Sequence, residues 1–449
     1  MYYMKQFRYS MLLALALSGG RAQAQLQPQP QNLSLQDAVS LAMTSNPEIK
    51  ASQLEIAKAK QQRVISKALL LPSVYATATA NHYFKLPPFF GFQGINSDGK
   101  VTYGRFGGDD QIGAAIAAVQ PLFNPLAYPT LHRSKLQEQE SEIVLSGKQI
   151  EVISQVKQTY LQLLVLNERI KLQTESINRN QHALRDARSL MVQGKGLRVD
   201  TLRAYTSVKN LEPDLLKLSY AYQTGLLQLK ALTGMNTLQQ VALTDSLSLP
   251  GNSSLPAEPE VYEEAKKNNP EYQKLALQEK IDDQSIKVAS SARKPVVSAV
   301  GQYQVQSQSN NFNYTNGFFP SNYYVGIQMS VPLFNGFSTV AKVKQAGISR
   351  EQSGIRLNDS YEQLRARVHQ AISDCDESFS RVKTTTQVNE TAKLSYGIIQ
   401  YRYAKGVASR LELTDAELSL TTAQSNYLEA VYDYLNARIA LFRLMGKIE

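Results

Sequence analysis

Hydrophobic and polar positions change period several times along the chain. Asn46 and Pro47 fit the cap and first turn of a helix, predicted to run to about Leu71 before Pro72 stops it. From Val74 the period drops to two: Val74, Ala76, Ala78 and Ala80 alternate with Tyr75, Thr77, Thr79 and Asn81. The alternation returns with Ile112, Ala114, Ile116 and Ala118, after a Gly-, Asn- and aromatic-rich stretch at 85–110 that reads as a hairpin tip. A second hairpin is sharper, with its tip at 306–321. Val297, Ala299, Gly301, Tyr303 and Val305 form one apolar set with Tyr323, Val325, Ile327, Met329 and Val331. Ser298, Gln302, Gln304, Tyr324, Gln328 and Ser330 fall on the other side.

Beyond Pro121 the pattern is helical for about 65 residues without a breaker. Val156, Leu163, Ile170, Ile177, Leu184 and Met191 fall at intervals of seven, and so do Val368, Cys375, Val382, Asn389, Tyr396 and Tyr403. A sustained repeat of this kind predicts a left-handed coiled coil. A helix over 125–190 spans about 100 Å at ~1.5 Å per residue. Cys375 sits in the seam, which predicts a buried, inert thiol. A shorter helix over 198–235 follows, with a bend expected at Pro213.

The pattern is written twice. Asn46-Pro47-Glu48 recurs as Asn269-Pro270-Glu271, and Pro72 as Pro295, both at an offset of 223. Pro121-Leu122-Phe123-Asn124 recurs as Pro332-Leu333-Phe334-Asn335 at 211. Gly194, Asp200, Ala204 and Gly234 match Gly406, Glu412, Ala416 and Gly446 at 212. A nearly constant offset over this length implies tandem duplication. The repeats are placed at 25–234 and 261–449, with a Ser-, Leu- and Pro-rich linker over 235–260. Ahead of them, Lys5 and Arg8 precede the apolar run 11–17, and Ala22-Gln23-Ala24 supplies a small-residue cleavage site. Residues 1–24 therefore read as a secretory signal peptide.

Composition narrows the function classes. At 43% hydrophobic the chain is no disordered polymer, and one Cys excludes a disulfide scaffold. The formal charge of +10 is spread too thinly for a nucleic-acid patch. His82, His132, His182 and His369 lack metal-site spacing. No phosphate loop or Ser/His/Asp constellation supports an enzyme, and neither a metal nor a cofactor is expected.

Strands of about ten residues cross a bilayer when tilted. Four strands cannot close a usable barrel, and open edges are not tolerated in lipid, so several chains are required. The alternative is a pair of soluble hairpins packed on helices.

These features resemble the TolC-type outer-membrane efflux family over nearly the whole mature chain, from Leu33 to Gly446. The carriers are the two Asn-Pro-Glu helix starts, the two Pro-Leu-Phe-Asn junctions and the two Gly-x5-acid turns, Gly194 to Asp200 and Gly406 to Glu412. The resemblance implies a mainly α chain with membrane β: antiparallel coiled-coil helices forming a periplasmic α-barrel. Four strands per chain would enter a 12-stranded transmembrane β-barrel built by a homotrimer. It implies a passive exit duct in the outer membrane, docked on a periplasmic adaptor and an inner-membrane transporter of an efflux pump or type I secretion system. A periplasmic adaptor and a secreted structural coiled coil are the competing readings.

By the same resemblance Asp200, Tyr403, Glu412 and Asp415 form a periplasmic gate, with Glu412 and Asp415 three apart on one helix face. Acids near a helix start also simply complement its dipole. Where some members carry Arg two residues past the second turn's Gly, this chain has Ala408, and Arg410 follows. The turn residues Gly194, Lys195, Gly196, Leu197, Gly406 and Val407 are candidates for adaptor contact. Val297, Ala299, Tyr303, Tyr323, Val325, Ile327 and Met329 are the expected lipid-facing strand residues. Tyr83, Phe84, Tyr103, Tyr323 and Tyr324 are also candidates for an interfacial aromatic girdle, with simple hairpin packing as the alternative.

Overall fold

The computed structural model describes residues 31–95, 101–249, 256–314 and 317–447. The signal-peptide reading lies outside the described residues.

Chain order begins with the strand β1 (Gln31–Leu33) and the helices α1 (Leu35–Ser45) and α2 (Pro47–Ala68). The strands β2 (Ser73–His82), β3 (Phe89–Ile95), β4 (Val101–Gly104) and β5 (Asp110–Phe123) follow. Next come the helices α3 (Ala127–Val192) and α4 (Arg198–Thr233) and the strand β6 (Val241–Leu243). The order helix, helix, hairpin, long helix, helix then recurs: α5 (Glu258–Asn268), α6 (Pro270–Ser291), β7 (Val296–Ser309), β8 (Ser321–Ser330), α7 (Ser338–Ala404) and α8 (Arg410–Leu444).

Several boundaries differ from expectation for local reasons. α2 stops at Ala68 rather than Leu71. The N–H groups of Leu69, Leu70 and Leu71 bond three residues back, so the last turn tightens ahead of Pro72. α4 runs through Pro213 as one 36-residue helix, and Gln173 of α3 donates to the nearby Leu211 carbonyl at 3.0 Å. Within the expected tip at 85–110, β3 and β4 pair as a second hairpin. Within the expected linker, β6 pairs in parallel with β1.

Packing divides the described residues into two units, one drawn from Met1–Pro47, Val152–Ser254 and Asp374–Ala440. Its core includes Val152, Val156, Tyr160 and Leu163 of α3, and Val382 of α7 packed with Val431 and Tyr434 of α8. The Tyr160 hydroxyl donates to the Leu33 carbonyl at 2.9 Å, and the Asp245 carboxylate accepts from the first N–H of α1, at Leu35, at 2.7 Å. Burial first, and then Asp245, push the Tyr160 hydroxyl up to about 12. Both heptad seams are buried at their start and loosen toward their ends. Val156 and Leu163 are fully covered while Met191 is 37% exposed. Cys375 is buried, and desolvation raises its thiol to about 11.

The other unit draws on Glu48–Glu151, Leu255–Ser373 and Leu441–Glu449. Its sheet runs in the order β2-β5-β7-β8, every pair antiparallel, so β5 and β7 join the two hairpins and β2 and β8 are edges. Asp110 is buried at one end of the sheet. It accepts from the Phe312 N–H at 2.8 Å and meets the His82 ring at 2.6 Å, which ties the two hairpins at their tips.

One junction occurs in each unit with the same geometry. Asn46 donates to the Leu232 carbonyl at 2.7 Å, and Asn269 donates to the Leu444 carbonyl at 3.0 Å. Gly234 and Gly446 end α4 and α8 in the left-handed region. A Cβ there would also strike the backbone of Ser45 and Asn268. Each Asn-Pro helix start and its distant Gly are thus parts of one joint.

Candidate functional site

Two places in the chain present unusual surfaces, and each is built by a local rule. The first is the sheet. Register sets Val297 opposite Met329, Ala299 opposite Ile327, Gly301 opposite Val325 and Tyr303 opposite Tyr323, so the expected lipid-facing residues share one face. On β5 and β2 that face continues through Ile116, Ala76, Ala118 and Val74. Tyr323, Val325 and Ile327 are 80, 87 and 75% exposed in the chain. An apolar set of this size turned to solvent marks a surface that something else covers.

The opposite face is polar and carries no charge. Thr77, Thr79, Asn81 and Gln111 line a hollow of about 180 Å³ with Gln302, Gln304, Gln306 and Gln308. Gln302 donates to Gln304 at 3.0 Å and Gln304 to Gln306 at 2.9 Å, while the Tyr324 hydroxyl donates to Gln302 at 3.2 Å. Tyr324 therefore belongs to the polar face. It does not share a lipid-facing girdle with Tyr323, because consecutive strand residues point to opposite sides.

The second place is the pair of helix turns, α3 to α4 and α7 to α8, which share one backbone solution. Gly194 and Gly406 have φ of +71° and +75°. The N–H groups of Gly194 and Lys195 bond to the Met191 and Leu190 carbonyls, and those of Gly406 and Val407 to Tyr403 and Arg402. This is the glycine-terminated helix end that only a residue tolerant of positive φ makes cheaply. Gly196 serves differently: a Cβ there would lie 3.0 Å from the Leu190 Cβ and 3.1 Å from the Met191 nitrogen. Lys195, Leu197 and Val407 are exposed.

Side chains distinguish the two turns. α4 begins at Leu197, which supplies no side-chain cap, and Asp200 is the acid of its first turn. α8 begins at Ser409, whose Oγ accepts from the Glu412 N–H at 3.2 Å and donates to the Glu412 carboxylate at 3.1 Å. Ser409-x-x-Glu412 is a capping box, a signal already present in the sequence. The Arg410 guanidinium lies over the Tyr403 ring, 6.0 Å from its centroid. Asp415 is exposed one turn beyond Glu412. Among the described residues the carboxylates of Asp200 and Asp415 make no ion pair within the chain.

The outer membrane efflux protein family matches residues 38–235 and again 261–447. The chain belongs to that family. The alkaline protease secretion protein AprF of Pseudomonas aeruginosa is 24% identical over 416 residues, covering 90% of this chain and 82% of that protein. The outer membrane protein TolC of Vibrio cholerae is 19% identical over 430 residues, covering 92 and 91%. Among solved structures, the outer membrane protein VceC of Vibrio cholerae superposes with a TM-score of 0.73 at 14% identity, covering 92% of this chain and 96% of that one.

Within the outer membrane efflux fold, the structure places Tyr403, Glu412 and Asp415 around one turn and Asp200 on the other. Tyr403 is engaged by Arg410 and Glu412 by Ser409, both from their own turn. Position 408 is Ala in this chain, and the cation over the Tyr403 ring is Arg410. Ser409 and Arg410 are the two turn residues that sequence reasoning left unassigned.

Proposed function

We propose that the chain is a passive exit duct of the outer membrane, assembled as a homotrimer, for small molecules or proteins driven by partner pumps. In this reading three four-stranded sheets close a 12-stranded barrel, and the long helices of three tandemly duplicated chains, 25–234 and 261–449, form a periplasmic α-barrel. The observation that carries it is the sheet: two open edges, β2 and β8, and an apolar face whose Val325 is 87% exposed. Neighbouring copies satisfy the edges and lipid covers the face.

The charge-free polar face then lines the wet interior, and its amide ladder offers hydrogen bonds without selecting by charge. Gly194, Lys195, Gly196, Leu197, Gly406 and Val407 are assigned to contact with a periplasmic adaptor that links the duct to an inner-membrane transporter. Asp200, Tyr403, Glu412 and Asp415 are assigned to the entrance, where threefold repetition of Glu412 and Asp415 makes an acidic ring favouring cations. The names of relatives point to both kinds of cargo: AprF to protease secretion, OpmQ to pyoverdine export.

The test is detergent extraction of outer membranes followed by electrophoresis with and without boiling, and then reconstitution into planar bilayers. A heat-resistant trimer forming cation-preferring channels is expected. A monomer released with the periplasmic fraction overturns the proposal.

A further inference from the structure

Glu417 lies in α8 five residues past Glu412, on the buried side of the helix. Its side chain is 9% exposed, and one of its oxygens, Oε1, accepts three hydrogen bonds from α3. Asn180 Nδ2 donates at 2.9 Å, Arg179 Nε at 3.1 Å and Ser176 Oγ at 3.4 Å. Ser176 and Asn180 are themselves buried. On its other side the Arg179 guanidinium lies over the Tyr396 ring of α7, 5.8 Å from the centroid. Three helices therefore grip one ion pair. Burial and the Glu417 charge both raise the Tyr396 hydroxyl, as expected of a ring packed into that cluster.

The cluster marks a boundary in the packing. On the turn side no residue from Gly397 to Glu412 is buried, Leu413 and Ala416 beside the cluster are the first of α8 to be covered, and Gly397 itself has open space around it. On the other side Leu420, Ala423, Leu428, Val431 and Tyr434 of α8 are buried. Apolar seam contacts trade neighbours at small cost when helices slide. A buried carboxylate does not, because a shift of α8 against α3 leaves it desolvated and unpaired.

We infer that the Arg179–Glu417 cluster is the fulcrum of the α7–α8 turn, fixing the coil behind it and confining movement to residues 397–412. It rests on the reading that this turn lines the entrance. With the cluster intact the swinging segment is short and the entrance stays narrow. Without it the lever extends back along α8 and the entrance widens. Arg179 and Glu417 are positioning residues that act through the turn rather than by touching cargo.

Full-length protein in planar bilayers tests this with Arg179→Ala, Glu417→Ala, the double variant, and Arg169→Ala as control. Arg169 pairs with Glu429 between the same two helices, but Glu429 is 60% exposed and Arg169 34%, and a pair that open to solvent contributes little. Each cluster variant is expected to raise the fraction of time in a high-conductance state by about tenfold, because Arg179 is 23% exposed and only part of the cost of breaking the pair enters the balance between the two states. The double variant should match the larger single change, and Arg169→Ala should equal the unaltered protein. Where Glu417→Ala does not reach the outer membrane, Glu417→Gln serves instead; it keeps an acceptor for Asn180, loses the charge facing Arg179, and should give a smaller rise. Variants that assemble normally yet conduct like the unaltered protein overturn the inference, as do single effects that add in the double variant. An unaltered chain that forms no channel strikes the proposed function instead.

Discussion

In the sheet β2-β5-β7-β8 the strand residues Tyr323, Val325 and Ile327 lie outward and bare, whereas in the helices the seam residues Val156, Leu163 and Val368 are fully covered. The helices also pair several of their charges internally, as in Arg381 with Asp433 at 2.9 Å and Arg179 with Glu417 at 3.1 Å. The sheet strands carry no Lys, Arg or Glu, and one Asp that is buried at a strand end. A helix closes its own backbone hydrogen bonds, so two helices need only bury a stripe. An open four-stranded sheet leaves two edges, and a single apolar face does not fold onto itself. The difference separates what one chain completes from what, in the proposed assembly, it leaves to copies and lipid.

The largest effect expected is on the bare face. Val325→Arg with Ile327→Arg costs about 2–4 kcal/mol per charge if the face meets lipid. It should abolish the heat-resistant outer-membrane form while leaving the helical circular dichroism of the chain in place; normal insertion would show that the face does not contact lipid.

Truncation inside the coil should come next. Leu163→Ala opens a cavity beside Gly225, whose added Cβ would already lie 2.9 Å from Leu163, and loss of about 2–5 kcal/mol is expected in urea unfolding. Val325→Ala, the nearest equivalent on the sheet, should leave that midpoint unmoved. Equal losses would erase the contrast.

Smaller changes separate the two helix turns. Gly194→Ala and Gly406→Ala both place a side chain at positive φ, at a cost of about 1–2 kcal/mol each. Ser409→Ala removes a cap and should cost about 1 kcal/mol, while Leu197→Ser at the uncapped turn should gain a fraction of that, both read from thermal unfolding. The smallest effect concerns Cys375. With its thiol raised to about 11 by burial, little thiolate exists at pH 8, so iodoacetamide should label the folded protein far more slowly than the unfolded one. Equal rates would mean that the seam opens readily at this level.

Much of this was legible in the sequence. Period two and period seven are direct consequences of strand and helix geometry, so the alternation at 74–80 and the heptads from Val156 and Val368 located the strands and the long helices. The paired Asn-Pro starts and distant glycines announced a duplicated pattern, and the turn glycines announced two sharp reversals. Tertiary structure alone decided the rest. Three-residue strands such as β1 and β6 are too short to show a period. Pairing between β5 and β7, which merges two hairpins into one sheet, depends on contacts about 180 residues apart. The role of Glu417 was equally hidden, because an acid on a helix looks solvated until Ser176, Arg179 and Asn180 are folded against it. Local periodicity is written residue by residue, but the partner of a buried charge is chosen only when distant segments meet.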